Sequence, residues 1–329
     1  MKTSWRIFFG VIIAILLIYI LRKINLLEVY HILQGIKSKF FILAVAAYSL
    51  AILVFTLRGI ISIRKILQPE FWFFIESTLA GNFVNIITPG MQIGGEPVRA
   101  YFLGKKYNKP KTKVLGALLV DRILNAAVSL FFVIASLLFI LTYIPVSGEL
   151  KIIFQTVLFC IILFLLLILF LNLKKTNFNI WDFVKKMRIL KVVTKNKKIR
   201  EMEEHFGNFT KSFKKTIANK KTFFFGIIFS FAYWILIYLS SYFLFLSLDI
   251  KIEPFLVIVV VSLGSLVGDF SPSPGGFALV EGFMIFLYSL VGVSLSAAIV
   301  VSILSRLIGY LESLVLGGFS LLHLEKTLG

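Results

Sequence analysis

One cysteine and three histidines in 329 residues leave little material for thiol or metal chemistry. Cys160 stands alone inside an apolar run, so neither a disulfide framework nor a thiolate metal site is available. His31, His205 and His323 are too far apart to share the ligand spacing of a zinc site and read as interfacial or loop residues. Acidic residues are also scarce, 16 against 35 lysines and arginines, for a net charge of +19. There is no Walker-type phosphate loop, so ATP-driven pumping would need a partner, and there is no nucleophile elbow or kinase signature. The longest polar stretch, 174–221, is too short for a separate catalytic domain. No cofactor is expected.

What the chain has instead is apolar length. Apolar residues make up 59% of it, charged residues only 16%, and mean hydropathy is +0.95, well outside the range of soluble globular domains. This composition predicts an all-α, polytopic integral membrane protein forming one membrane domain over 1–329. The positive charge is then better matched by anionic phospholipid headgroups than by nucleic acid. Membrane lipids are the expected partners, and a homo-oligomer is left open.

A bilayer core needs roughly 17–25 apolar residues per helix, and spans of that kind fall at 5–21, 40–63, 114–141, 151–173, 222–248 and 295–322. The first, with Arg6, Arg22 and Lys23 near its ends and no small-residue cleavage site, reads as a retained span. Two further apolar regions, 71–104 and 254–291, are broken midway by proline and glycine. Such a break strands backbone groups in hydrocarbon at several kcal/mol each, roughly, unless it is buried in protein or lines a wet cavity. Both regions are therefore expected to be re-entrant hairpins. The basic segments 104–113, with five lysines and no acid, and 174–221, with 15 Lys/Arg against four acids, belong on the cytoplasmic side. Both termini then fall in the cytoplasm of a multi-pass cell-membrane protein. The segment 22–39, outside in this topology, carries Arg22, Lys23, Lys37 and Lys39 and runs against the rule.

The two broken regions correspond. Pro89-Gly90 precedes Glu96 and Pro274-Gly275 precedes Glu281, seven residues from proline to glutamate in both, and Arg122 and Arg306 follow those prolines by 33 and 32 residues, each inside the next span. Three spans lie between the hairpins, so the hairpins enter from opposite faces. The expectation is an inverted repeat, with one copy over 40–141 and the other over 222–322, the architecture by which many transporters build a central site.

Charges at membrane depth cost about 2.5–3.5 kcal/mol on insertion scales and need a partner or a task. The list comprises Glu76, Glu96, Arg99, Asp121, Arg122, Asp269, Glu281, Arg306 and Glu312. Arg122 and Arg306, aided by Arg99, suit an anionic group such as a lipid phosphate, because a planar guanidinium matches phosphate oxygens bidentately. Glu96 and Glu281 would orient those arginines or exchange protons, with Asp121 and Asp269 beside them. The competing reading is that the Glu–Arg pairs only lock the repeats together. At the breaks, Pro89, Gly90, Gly94, Gly95, Pro272, Pro274, Gly275 and Gly276 either open a backbone-lined site or simply permit sharp turns and close helix contact. In the basic loop, Ile199, Met202, Phe206, Phe209, Phe213 and Ile217 recur at steps of three and four with lysines between them, the pattern of a helix lying on a headgroup surface.

The stretches NFVNIITPGMQIGGEPVRAYFL (82–103), DRILNAA (121–127), SPSPGGFALVEGF (271–283) and SRLIGYLES (305–313) together resemble the flippase-like family that includes the transmembrane region of lysylphosphatidylglycerol synthases. The resemblance implies a polytopic lipid-handling protein, with Pro89, Gly90, Gly95, Glu96, Arg99 and Arg122 as one matched set and Pro272, Pro274, Gly275, Gly276, Glu281 and Arg306 as the other. The sequence ends at Gly329 without the synthases' soluble aminoacyl-transfer domain, so their synthase activity is not implied. Movement of a lipid or lipid-linked anionic headgroup between leaflets is the leading expectation. A membrane-embedded transferase with Glu96 or Glu281 as general base, and a small-solute or ion transporter, stay open beside it.

The orientation is tested by cysteine labelling in a Cys160→Ser background. Ser147→Cys is expected to react with a membrane-impermeant thiol reagent outside intact cells and Lys109→Cys only after lysis; the opposite pattern overturns the assignment.

Overall fold

The computed structural model describes residues 26–88, 94–173 and 197–328. All regular structure in them is helical, as hydrocarbon demands of a chain that cannot leave backbone groups unsatisfied. A short helix α1 (Leu26–Gln34) leads into the long α2 (Ser38–Ile63). Helices α3 (Phe71–Ile87) and α4 (Gly95–Lys106) occupy the first broken region, and α5 (Lys111–Tyr143) and α6 (Gly148–Leu173) are long again. The basic α7 (Lys197–Ile217) precedes α8 (Lys220–Ser247). The second broken region holds α9 (Pro254–Phe270), a 3₁₀ turn at Pro274–Gly276 and α10 (Leu279–Leu290). Finally α11 (Leu295–Leu311) runs through a π turn at Glu312–Leu316 into α12 (Gly317–Leu328).

Among the described residues five continuous helices are long and apolar enough to cross a membrane: α2, α5, α6, α8 and the run from α11 to α12. They match five of the expected spans, and the protein is an all-α polytopic membrane fold. The sixth, 5–21, lies outside the described residues, as do Pro89, Gly90 and the segment 174–196. The same succession occurs twice: a long helix, a 17-residue helix, a 12-residue helix and another long helix.

Helices α2 and α8, one from each succession, form the most extensive helix pair. Buried Ala44, Ala47 and Ala51 keep the face of α2 flat, and Ser240 Oγ of α8 donates to the Ala44 carbonyl at 2.8 Å, the small-residue packing on which membrane helices rely. Lys37 ties the outer ends of this pair: its N–H donates to the Ser247 carbonyl at 2.7 Å and its ammonium meets Asp249 at 2.7 Å. That hydrogen bond holds the Asp249 carboxyl below the usual carboxylate range. One of the four positive charges of 22–39 thus has a partner following α8. At the other end of α2, Lys106 meets Glu70 at 2.8 Å, which brings the end of α4 to the start of α3.

The basic segment does form a helix, α7, and a small-residue seam docks it on α5. Ser212 and Thr216 are buried, Ser212 Oγ donates to the Lys113 carbonyl at 2.6 Å, and the backbone of Phe209 and Phe213 lies against Gly116 of α5. The side chains of Ile199, Met202 and Phe206 lie outside the described residues.

Glycine serves the two breaks differently. Gly95 has ordinary helical neighbours but a Cβ there would lie 2.5 Å from the Gly81 carbonyl oxygen, so it is needed for the close approach of α4 to α3. Its N–H donates to Asn85 Oδ1 at 2.7 Å, which closes the junction. In the second break Gly275 and Gly276 have φ of +58° and +75°, the left-handed region that a side chain disfavours. Gly95→Ala is expected to lower the thermal midpoint of the purified protein in detergent, because overpacking costs about 1–3 kcal/mol. Gly207→Ala, in α7 with nothing within 4 Å, is expected to raise it by up to about 1 kcal/mol in stability. A Gly95→Ala protein as stable as the wild type would show that the α3–α4 contact does not require the glycine.

Candidate functional site

Arg122 and Arg306 each stand eleven residues past the first residue of their helices, α5 and α11. At 1.5 Å per residue that is about 16 Å in, near the middle of a hydrocarbon core of about 30 Å. Everything charged at this level has to be satisfied by protein or by water in a cavity.

Asp121, beside Arg122 on α5, is occupied by a residue absent from the sequence-derived list. Arg58 of α2 is fully buried; its Nε donates to Asp121 Oδ1 at 2.8 Å and its Nη2 to Oδ2 at 3.3 Å, while Nη1 donates to Asn125 Oδ1 at 2.6 Å and Ser230 Oγ at 3.1 Å. Ser62 Oγ adds a third donor to Asp121 Oδ1 at 3.3 Å. This network joins α2, α5 and α8, so Asp121 is a member of a buried bidentate pair. The signal that could have found Arg58 was present: an arginine inside an otherwise apolar span obeys the same cost rule as the others.

In the first half, Arg122 Nη1 donates to Glu96 Oε2 at 2.7 Å. Glu96 stands in the first turn of α4, where free N–H groups and the helix dipole favour a carboxylate. Arg99, one turn further along α4, is different. It is 3% exposed, and its Nε and Nη2 have no hydrogen-bond partner among the described residues. Its stem lies on Gly81 and its guanidinium on Gly59, between the rings of Phe55 and Phe74 at 5.4 and 5.1 Å.

In the second half, Arg306 has partners on two of its three nitrogens. Its Nε donates to Glu281 Oε1 at 2.9 Å, and its Nη2 to the Gly275 carbonyl and to the Tyr310 hydroxyl, the latter at 2.8 Å. The left-handed turn at Gly275 is what aims that carbonyl at Arg306. Glu281 stands in the first turn of α10, as Glu96 does in α4. Asp269, near the end of α9, makes no ion pair among the described residues, and Arg122 is the cation within electrostatic reach of it. The remaining acids lie elsewhere: Glu312 accepts from Ser49 Oγ, and Glu76 meets His323 at 3.2 Å.

These groups surround one cavity of about 570 Å³. Glu96, Asp121 and Arg122 line it from one half and Asp269, Gly275 and Arg306 from the other; Arg99 and Glu281 stand behind that lining. Gly94, Gly95, Pro272, Pro274 and Gly276 build the junctions beside it, and Pro89 and Gly90 fall outside the described residues. The lining carries three guanidinium groups from three helices, Arg58, Arg122 and Arg306, and three carboxylates, Glu96, Asp121 and Asp269, with apolar protein around them.

The lysylphosphatidylglycerol synthase transmembrane-region family model matches residues 7–317. The chain is 28% identical over 341 residues to the UPF0104 membrane protein PH1989 of Pyrococcus horikoshii, covering 100% of this chain and 99% of that one. It is 31% identical over 264 residues to the UPF0104 membrane protein MJ1595 of Methanocaldococcus jannaschii, covering 76% and 74%. A UPF0104 membrane protein of Methanothermobacter thermautotrophicus is 26% identical over 288 residues, covering 86% and 85%. No solved structure matches the chain. Matched across nearly its whole length, the chain belongs to the family of the lysylphosphatidylglycerol synthase transmembrane region.

Proposed function

We propose that this protein moves a phospholipid or lipid-linked anionic headgroup between the leaflets of the cell membrane. The observation that carries the reading is the charged cavity to which both halves contribute an arginine that stands eleven residues into an apolar helix. A headgroup crossing a bilayer must shed water, and the cavity offers replacement donors in Arg122 and Arg306 while acyl chains remain in lipid. In this reading the two broken regions are re-entrant hairpins. The meeting of Glu70 with Lys106 supports this for the first, since it holds both ends of the α3–α4 hairpin on one side. Repeated element lengths, with three long helices between the hairpins, support an inverted repeat that alternates access. The termini and the basic segments face the cytoplasm, where anionic lipids meet lysines.

Reconstituted vesicles test the reading. Fluorescent phosphatidylglycerol is expected to equilibrate between leaflets faster than in protein-free vesicles. Arg122→Ala should slow it by tenfold or more, since hydrogen bonds to charged groups contribute about 1.5–3 kcal/mol. Rates equal to those of empty vesicles, or an Arg122→Ala protein as fast as the wild type, overturn it. Substrate-dependent currents without any lipid requirement would instead indicate a small-solute transporter.

A further inference from the structure

If Arg122 turns to an incoming anion, Glu96 loses the one ion-pair partner it has among the described residues. Glu96 is only 7% exposed, so it would then be a buried, unpaired carboxylate next to a second negative charge. Both effects oppose binding, because an ion stripped of partner and water is strongly disfavoured. An anion site built on Arg122 alone would thus work against itself.

Arg99 answers this problem. It lies three residues after Glu96 on α4, the spacing at which side chains on a helix meet. Its guanidinium is buried with two nitrogens unpartnered, held only against two aromatic faces and two glycines. Asp121 and Glu96 are the carboxylates within its electrostatic reach. Asp121 already accepts from Arg58 and Ser62, whereas Glu96 shares a helix face with Arg99 and is the acid that loses its partner when Arg122 turns to an anion.

Resting on the reading of the cavity as an anion site, we infer that Arg99 is a positioning residue that takes over Glu96 when Arg122 engages the anion. In the empty site Glu96 pairs with Arg122 and Arg99 waits against Phe55 and Phe74. In the occupied site Glu96 pairs with Arg99, and Arg122 gives up Glu96 for the phosphate. The count of charges does not change, and no carboxylate is stranded.

The second half has no such device. The residue three positions after Glu281 is Met284, and Arg306 is held by a carboxylate, a backbone carbonyl and a tyrosine at once. Arg306 is accordingly a fixed wall of the site.

A double-mutant cycle on binding of the water-soluble probe dihexanoyl phosphatidic acid, measured calorimetrically in detergent, tests the exchange. Arg99→Gln is expected to weaken binding by about tenfold or more in the wild-type background and to have no effect in an Glu96→Gln background, where no carboxylate is left to strand. Arg99→Lys, which keeps the charge but not the planar fork, should bind more tightly than Arg99→Gln. Without probe, Arg99→Gln should melt no lower than wild type, because it removes an unpaired buried charge; a purely structural arginine would lower that midpoint. Unchanged affinity in Arg99→Gln, or an equal loss with and without Glu96, overturns the exchange while leaving the anion site intact. Failure of the wild-type protein to bind the probe overturns the anion site and the exchange with it.

Discussion

The Arg58–Asp121 pair is the interaction on which the centre of this membrane domain depends. A guanidinium with no exposure is among the most costly groups to bury in hydrocarbon, and here Arg58 has a bidentate carboxylate, an asparagine and a serine around it. Removing one partner from such a pair costs about 3–5 kcal/mol because the other is left uncompensated. The consequence is geometric. Helices α2, α5 and α8 must keep one mutual register for the network to close, and Arg122, next to Asp121 on α5, is thereby delivered to the cavity wall at a fixed height. A structural ion pair and the lining of a polar cavity share two adjacent residues, so rigidity at one supports preorganisation at the other.

The junctions in the broken regions obey the same rule by different means. In the first, α4 approaches α3 so closely that only glycine fits at 95, and Asn85 takes the freed N–H of that glycine. In the second, left-handed glycines turn a carbonyl toward Arg306, so an unsatisfied backbone acceptor becomes part of the arginine's coordination. Neither junction leaves these polar groups facing lipid, which is the condition for irregular backbone at membrane depth.

Much of this could be read from the sequence because hydrophobic length and proline-glycine interruption are local signals. The five described spans follow from run length and the split of 71–104 and 254–291 into helix pairs from the proline-glycine breaks, and the matched offsets from Pro to Glu to Arg brought Glu96 to Arg122 and Glu281 to Arg306. What could not be read is partner choice, which is a tertiary property. Nothing in DRILNAA says that Asp121 is paired with an arginine 63 positions earlier on another helix. The phenylalanine periodicity of 199–217 located a helix, yet that helix is docked by Ser212 and Thr216, whose small size leaves no mark on a hydrophobicity pattern.

The two halves are alike in length and unlike in how their arginines are held. Arg306 is bonded at once to Glu281, Tyr310 and a backbone carbonyl, although Glu281 Oε2 is buried without a hydrogen-bond partner among the described residues. In the first half the set is open: Arg99 has two buried nitrogens without a partner among the described residues. Closed sets hold shape, since any rearrangement must break several charge-assisted bonds at once. Open sets have a second arrangement of comparable energy, because a group that already lacks a partner loses little by moving. If the protein alternates between two states, the physics places the moving ion pairs beside α4 and leaves α10 and α11 as the frame against which they move.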